Sequence, residues 1–318
     1  MRSWIDDADG LVEDPSPPAV AERVAAGTPF WLDIEAPTDE VIDGLAEHLG
    51  LHPLAVEDSK RFGRRGQLHI YGNVATVIAS GLDRELRELV EVHCYYTTGF
   101  LITLHRVASP ALEDIRRAES LRPLLGGDPV HVLHHVIRSL HTPFQELVSR
   151  FDERLYSLEQ QMLHDPDEGE LAEISAIRHR VSVLRRALAP GLEAAGRLTL
   201  IARMPGASES SQLYAQDIGG ELQRIVADLI AIGERCVGLF GLHASIASNR
   251  QAVVSRRLAA VATIFLPISF VVGFFGQNFS VLTDLIEEGW VSFVVLGLLL
   301  NVICVVATVL WLGRKGWR

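Results

Sequence analysis

The chain has 318 residues, 48% of them hydrophobic, and a formal net charge of −11 at pH 7. That length holds one large or two ordinary domains, and the acidic balance argues against nucleic acid as a partner, because phosphate binding needs a basic surface. The three cysteines, Cys94, Cys236 and Cys304, form no CxxC pair, which argues against a disulfide framework or zinc knuckle and fits a reduced, intracellular setting.

The first ten residues, MRSWIDDADG, are polar and acidic and are followed by Pro15, Pro17 and Pro18, unlike a secretory signal with its basic start and apolar middle. The first third reads as α/β. Short apolar, β-branched or aromatic runs at 30–34, 74–79, 90–97 and 100–105 predict strands, and the Thr97-Thr98-Gly99 break between the last two predicts a hairpin. Thr38 or Asp39 caps a helix running through Leu49, with Gly50 as its stop. In the following GLHPLAVED, residues 50–58, Pro53 opens a short helix that ends in two adjacent acids, Glu57 and Asp58.

From about Val130 apolar residues recur at three- and four-residue spacing: Val132, Val136, Leu140, Leu147, Phe151, Leu155, Leu158 and Met162. That period predicts a long helix. Residues 164–169 read as a turn, and a second helix returns through Leu171, Ile174, Ile177, Val181 and Leu184 towards Met204, where Pro205-Gly206 ends it. No proline then appears until Pro267. A single helix over 210–275 would be ~100 Å long. Gly219, Gly220, Gly233, Gly238 and Gly241 weaken it, each by up to ~1 kcal/mol, so lateral packing has to support it.

Residues 258–278, LAAVATIFLPISFVVGFFGQN, are uncharged and the run stays so through Thr283, long enough to cross a ~30 Å hydrocarbon layer. A second uncharged run, 289–313, follows a short acidic segment with Asp284, Glu287 and Glu288, which predicts a two-helix membrane hairpin. Arg250, Arg256 and Arg257 precede the first run, Arg314, Lys315 and Arg318 follow the second, and the connection has neither Lys nor Arg. By the retention of basic residues on the cytoplasmic side, both termini are cytoplasmic. The expected organisation is an α/β domain over 1–128, a long-helix stalk over 129–257, a first span and its mouth over 258–279, an outer loop over 280–290, a second span over 291–313 and a basic tail over 314–318.

Along the first span, steps of three and four from Ser255 pass through Leu258, Ala262, Leu266, Ser269, Gly273 and Gly276, a small or weakly polar stripe, while Ile264, Ile268, Val271 and Phe275 make a bulky one. The small stripe fits either a pore lining or an ordinary helix contact in lipid. Two spans cannot enclose a water-filled path, so conduction requires several copies around an axis. At the outer end Gly276, Gln277 and Asn278 offer carbonyl and amide oxygens. These suit a hard, hydrated ion such as Mg2+, and the same triplet also reads as a Gly-Asn helix stop. His131, His134 and His135 have the spacing of a transition-metal site that lacks a fourth ligand. No P-loop, GxGxxG or Ser/His/Asp order occurs, so an enzyme has no support.

Three stretches carry a resemblance to the CorA family of divalent-cation channels: HPLAVED at 52–58, YAQDI at 214–218, and SIASNR through RRLAAVATIFLPISFVVGFFGQNF between 245 and 279. The resemblance implies an α+β cytoplasmic domain with long stalk helices and a two-helix transmembrane hairpin, assembled as a funnel-shaped homopentamer in the inner (plasma) membrane. It implies transport of Mg2+, with Zn2+, Co2+ or Ni2+ as the alternative cargo and a non-conducting membrane-anchored scaffold as the reading from another class. By position, Gly276, Gln277 and Asn278 match the selectivity mouth, with Gln277 where the family usually has Met. Leu258 and Leu266 match hydrophobic constrictions and Ser269 a polar pore position. Asp58 and Asp217, with Glu57 beside them, match the acids that hold a regulatory Mg2+ across a subunit boundary. Ala252, Ser255 and Arg138 depart from the family's usual Asn, apolar and acidic residues.

Overall fold

In the computed structural model, which describes residues 1–8, 10–63, 66–118, 124, 129–164, 168–205, 207, 210–277 and 290–314, seven strands of a first unit, Met1–Leu239, form one sheet. They are β1 (Arg2–Asp7), β2 (Gly10–Glu13), β3 (Phe30–Glu35), β4 (Gln67–Tyr71), β5 (Val74–Leu82), β6 (Leu89–Tyr96) and β7 (Phe100–His105). Their order is β2-β1-β3-β7-β6-β5-β4, and every neighbouring pair is antiparallel except β3 with β7. The two parallel strands are the most buried, all six residues of β7 being enclosed. A strand covered on both faces has no solvent side to alternate towards. The predicted β6–β7 hairpin forms as expected: Thr97 Oγ1 accepts hydrogen bonds from the amides of Gly99 (3.1 Å) and Phe100 (3.0 Å).

Side chains on one face of β3 and β7, Phe30, Leu32, Ile34, Phe100, Ile102 and Leu104, build a core with α1 (Pro17–Ala26), α2 (Asp39–Leu49) and α3 (Pro53–Lys60). The helix ends follow from local chemistry. Thr38 caps α2 by accepting from Val41 N, and Gly50 ends it in the left-handed region at φ 65°, where a side chain would be strained. Pro53 starts α3, as expected. On the opposite face, Trp31 and Asp33 meet Thr103 and Arg116 of α4 (Pro110–Arg117), and α5 (Val130–His164) and α6 (Glu168–Arg197) pack against β4, β5 and β6. The unit is therefore helix, sheet and helix in three layers.

β1, β2, β4, α1 and α4 lie outside the sequence expectations. β1 reads RSWIDD, and its acids look wrong for a covered strand, yet Asp7 is buried because Arg23 of α1 donates to it at 2.5 Å. The second long helix passes through Pro190, ends at Arg197 and continues only as a 3-10 turn over Leu198–Arg203. The predicted turn at 164–169 falls largely on residues 165–167, outside the described residues.

The third long helix, α7 (Ser211–Phe275), is unbroken over 65 residues. Within the first unit it buries Ala215, Ile218, Leu222, Ile225, Val226, Leu229, Ile232, Cys236 and Leu239 at three- and four-residue steps. Lateral packing, as the glycine content required, supports this half: Gly233 faces Val181 of α6, and Gly219 faces Ala195. The second unit, Phe240–Arg318, holds the rest of α7 and the second apolar run. That run is helical from Trp290 to Arg314 and changes type along its length: α8 (Trp290–Ser292), a π-helical segment (Phe293–Leu299) and α9 (Leu300–Arg314). Among the described residues α7 is the one helix both long and apolar enough to cross a membrane, and α9 is a shorter apolar helix. The expected outer loop, 280–290, lies outside the described residues but for Trp290.

Candidate functional site

Two places carry the residues singled out from the sequence. The first is the apolar end of α7. Ser255, Leu258, Ala262, Leu266, Ser269, Gly273, Gly276 and Gln277 are all exposed in the single chain, Leu258 at 66% and Leu266 at 71%. Ile264, Ile268, Val271 and Phe275 are half-buried. The small stripe is thus open along its length, and Val261, Phe265, Phe270, Val272 and Phe274 are exposed beside it. On α9, Leu300, Cys304 and Thr308 are half-buried and Leu312 is buried at four-residue steps. A stripe holding two exposed leucines stays unshielded only where lipid or another copy covers it.

Pro267 lies inside this helix. It has no N–H, so the Thr263 carbonyl one turn earlier loses its usual helical donor. Thr263 itself donates its hydroxyl to Ala259 O at 2.7 Å, an arrangement that bends helices. At the end of the helix Gly276 N donates to Val272 O at 2.9 Å and Gln277 N to Phe274 O at 3.4 Å. The Val272 and Phe274 carbonyls are thus engaged by backbone N–H groups at the end of α7. A helix C-terminus carries about half a unit of negative charge, which favours a cation there. Asn278, the third member of the predicted mouth, lies outside the described residues.

The second place is a set of acids in the first unit. Glu57 and Asp58 lie within α3, which runs on through Ser59 to Lys60 rather than ending at the two acids as expected, and Asp217 is on α7. Glu57 is exposed and paired with Arg61 at 2.8 Å. Asp58 is half-buried beside two phenols: burial first, and then its negative charge, raise Tyr71 above its ordinary value and push Tyr95 up to about 12. His52 stacks flat on Tyr71 with centroids 4.1 Å apart, fixing the start of α3. Asp217 is half-exposed, and His134 Nε2 donates to its Oδ2 at 2.8 Å, which holds its carboxyl below the usual range.

The predicted histidine cluster is drawn apart into other contacts. His131 lies 3.4 Å from Ser210 Oγ, His131 and His134 both stand edge-on to Tyr214, and burial with the nearby His134 and Arg138 charges lowers His135. Among the described residues no three His, Cys, Asp or Glu side chains converge to hold a metal. Within one protomer Asp58 and Asp217 remain acids on separate elements. Their oxygens suit a hard, partly hydrated Mg2+ that needs only one or two carboxylates, and His134 leaves Oδ1 of Asp217 open. The contacts of Asp217 with His134 and of Glu57 with Arg61 were not read from sequence. The second has an i, i+4 signal, whereas the first joins residues 83 positions apart and has none.

Residues 27–315 match the model of a family described as CorA-like Mg2+ transporter protein. A Bacillus subtilis (strain 168) protein, YfjQ, named for metal ion transport, is 25% identical over 289 residues, covering 91% of this chain and 89% of that protein. The cobalt/magnesium transport protein CorA of Thermotoga maritima is 24% identical over 302 residues, covering 92% and 84%. Among solved structures, the complete CorA magnesium transporter from Methanocaldococcus jannaschii superposes with a TM-score of 0.79 over 100% of this chain and 99% of that one. At 16% sequence identity that likeness establishes the fold alone.

Proposed function

The chain belongs to the CorA-like Mg2+ transporter family, and from that premise we propose that it carries divalent cations, Mg2+ first, through a pore built from several copies and lined by the apolar end of α7. The observation that carries this reading is the open stripe: Ser255, Leu258, Ala262, Leu266, Ser269 and Gly273 stay exposed on an apolar helix that has only Ile264, Ile268, Val271 and Phe275 half-buried among its bulky residues. Copies that face one another across this stripe cover it and enclose a path. No catalytic chemistry is involved.

Leu258 and Leu266, two turns and ~12 Å apart along the helix, form the narrow rings, which close a pore by excluding water. Ala262, Ser269 and Gly273 leave room for an ion that keeps its water. At the mouth, the α7 carbonyl ends, the Gln277 amide and Asn278 contact the hydration shell, because Mg2+ sheds water reluctantly. The regulatory reading pairs Asp58 of one subunit with Asp217 of the next. Two carboxylates brought together repel unless a cation lies between them, so bound Mg2+ favours the closed assembly and its loss releases it. Pentameric stoichiometry follows the resemblance. The Thermotoga maritima relative is named for cobalt as well as magnesium, which makes Co2+ the second cargo to test.

Purified protein in liposomes, loaded with a Mg2+-sensitive dye, is expected to admit Mg2+ down its gradient, and Leu266→Ser is expected to raise that flux several-fold by wetting the constriction. Absence of Mg2+ entry in the wild type overturns the reading and leaves a membrane-anchored scaffold. Entry that Co2+, Zn2+ or Ni2+ outcompetes moves the assignment to a transition-metal carrier.

A further inference from the structure

Glu221 lies on α7 one turn beyond Asp217, yet its surroundings differ sharply: its side chain is 7% exposed, against 53% for Asp217. Its Oε1 accepts from Gln145 Nε2 of α5 at 3.1 Å. Its Oε2 faces Nδ1 of His141, also on α5 and 4% exposed, across 3.8 Å. That gap is inside ion-pair range and beyond hydrogen-bonding reach, and neither atom has a hydrogen-bond partner among the described protein atoms. A buried carboxylate and a buried imidazole in this state call for a compensating group.

The adjoining space supplies room for one. His141 lines a cavity of about 40 Å3 together with Ile137, Leu188, Gly191, Ile218 and Leu222. A water needs only ~10–15 Å3 of such space, and a polar pair just beyond 3.5 Å is commonly bridged by one. β5 contributes Val77, Ile78, Ala79 and Ser80 to this cavity, and α6 contributes Ala187, Ala194 and Ala195 besides those named. Neither brings an ionisable side chain. On α5 and α7 the neighbouring charged groups are His134 and Asp217, bonded to each other, and Arg138 and Arg224, both exposed. Of the pair, His141 alone lines this cavity, and it is the one ionisable residue among those lining it.

We propose that His141 and Glu221 form a buried proton-binding site that fastens α7 to α5 while His141 carries its proton. An imidazolium neutralises the carboxylate in place. Once the proton leaves, Glu221 is a buried charge with Gln145 as its one donor among the described contacts, a state that strongly disfavours the packed arrangement. Histidine is the side chain whose charge ordinarily changes between about pH 5 and 8, so the grip on α7 responds to cytoplasmic pH. Because α7 also carries the open stripe, the site couples proton concentration to the helix that lines the proposed path. The fastening itself does not depend on conduction.

Hydrogen exchange of the full-length protein in nanodiscs tests this without measuring flux. After correction for the intrinsic rate, wild-type peptides covering 137–147 and 215–229 are expected to exchange several-fold faster at the alkaline end of that range than at the acid end. Glu221→Gln and His141→Gln are each expected to abolish that response. No pH response in the wild type overturns the proposal, and so does a response that either substitution leaves intact. The wild-type measurement decides even where a variant fails to fold.

Discussion

Asp33 is the residue on which the polar interior of the first unit depends. Fully buried in β3, its Oδ1 accepts from Thr103 Oγ1 at 2.5 Å, and Trp31 Nε1 donates to that same Thr103 at 3.0 Å. Its Oδ2 pairs with Arg116, whose guanidinium also lies over the Trp4 ring at 3.9 Å. His105 Nε2 lies 3.2 Å from Oδ1, within ion-pair range. Removing one member of a buried ionic network strands the others. Asp33→Ala is therefore expected to cost about 3–5 kcal/mol, measured by chemical denaturation. The same network sets a pH dependence. Burial lowers His105, and the Asp33 carboxylate with the Val107 carbonyl more than reverses this, leaving it raised. A raised histidine contributes stability that is complete below its ordinary value of about 6.5 and is lost as pH rises through the folded value. Thermal unfolding of the wild type should decline over that window, and His105→Gln should flatten the slope. None of this was legible in the sequence, where Asp33 is one polar letter inside an apolar strand.

At the scale of elements, the decisive feature is how closely α6 approaches the sheet. A Cβ placed on Gly66 would lie 2.8 Å from Gly191 Cα and 3.0 Å from Gly191 N, both backbone atoms that cannot rotate away. Gly66→Ala must therefore push α6 from the start of β4, and overpacking of this kind costs about 1–3 kcal/mol. A thermal melt of the variant checks it, and an unchanged melt would mean that α6 shifts freely. Some elements were legible because punctuation residues bound them: Thr38 and Gly50 fix α2, Pro53 starts α3, and Thr97 to Gly99 turn β6 into β7. Others were not. β2 is a short exposed edge strand whose sequence carries no alternation, and β1 carries acids that only the Arg23 contact makes tolerable. Pro190 is held inside α6, which lies so close to α7 that a Cβ added to Gly191 would come within 3.1 Å of Leu222 Cδ2, so packing outweighs the local break.

For the whole molecule, the open stripe on α7 and the half-exposed Asp217 make the same demand: both lack a covering surface within one copy. The protein purified in a membrane mimic is expected to run as an assembly of several copies by light scattering coupled to size exclusion, and a monomer would contradict the proposed pore. If the proposed regulatory site holds, Mg2+ is expected to protect the wild type from protease and Asp217→Ala to reduce that protection, because one carboxylate of the proposed inter-subunit pair is gone. Equal protection in both proteins would remove Asp217 from the regulatory reading. The His134 bond does not block this role, since it engages Oδ2 alone.

By itself the sequence determined the long apolar run, the positions of its small and bulky residues, the 65-residue helix and the strands at the centre of the sheet, because each rests on a period or a run that neighbouring residues state together. Only the tertiary structure decided which polar residues meet. His134 with Asp217, His141 with Glu221 and Arg116 with Asp33 join positions 80 or more apart. Such pairs depend on how two elements are placed in space, and no spacing along the chain encodes that placement.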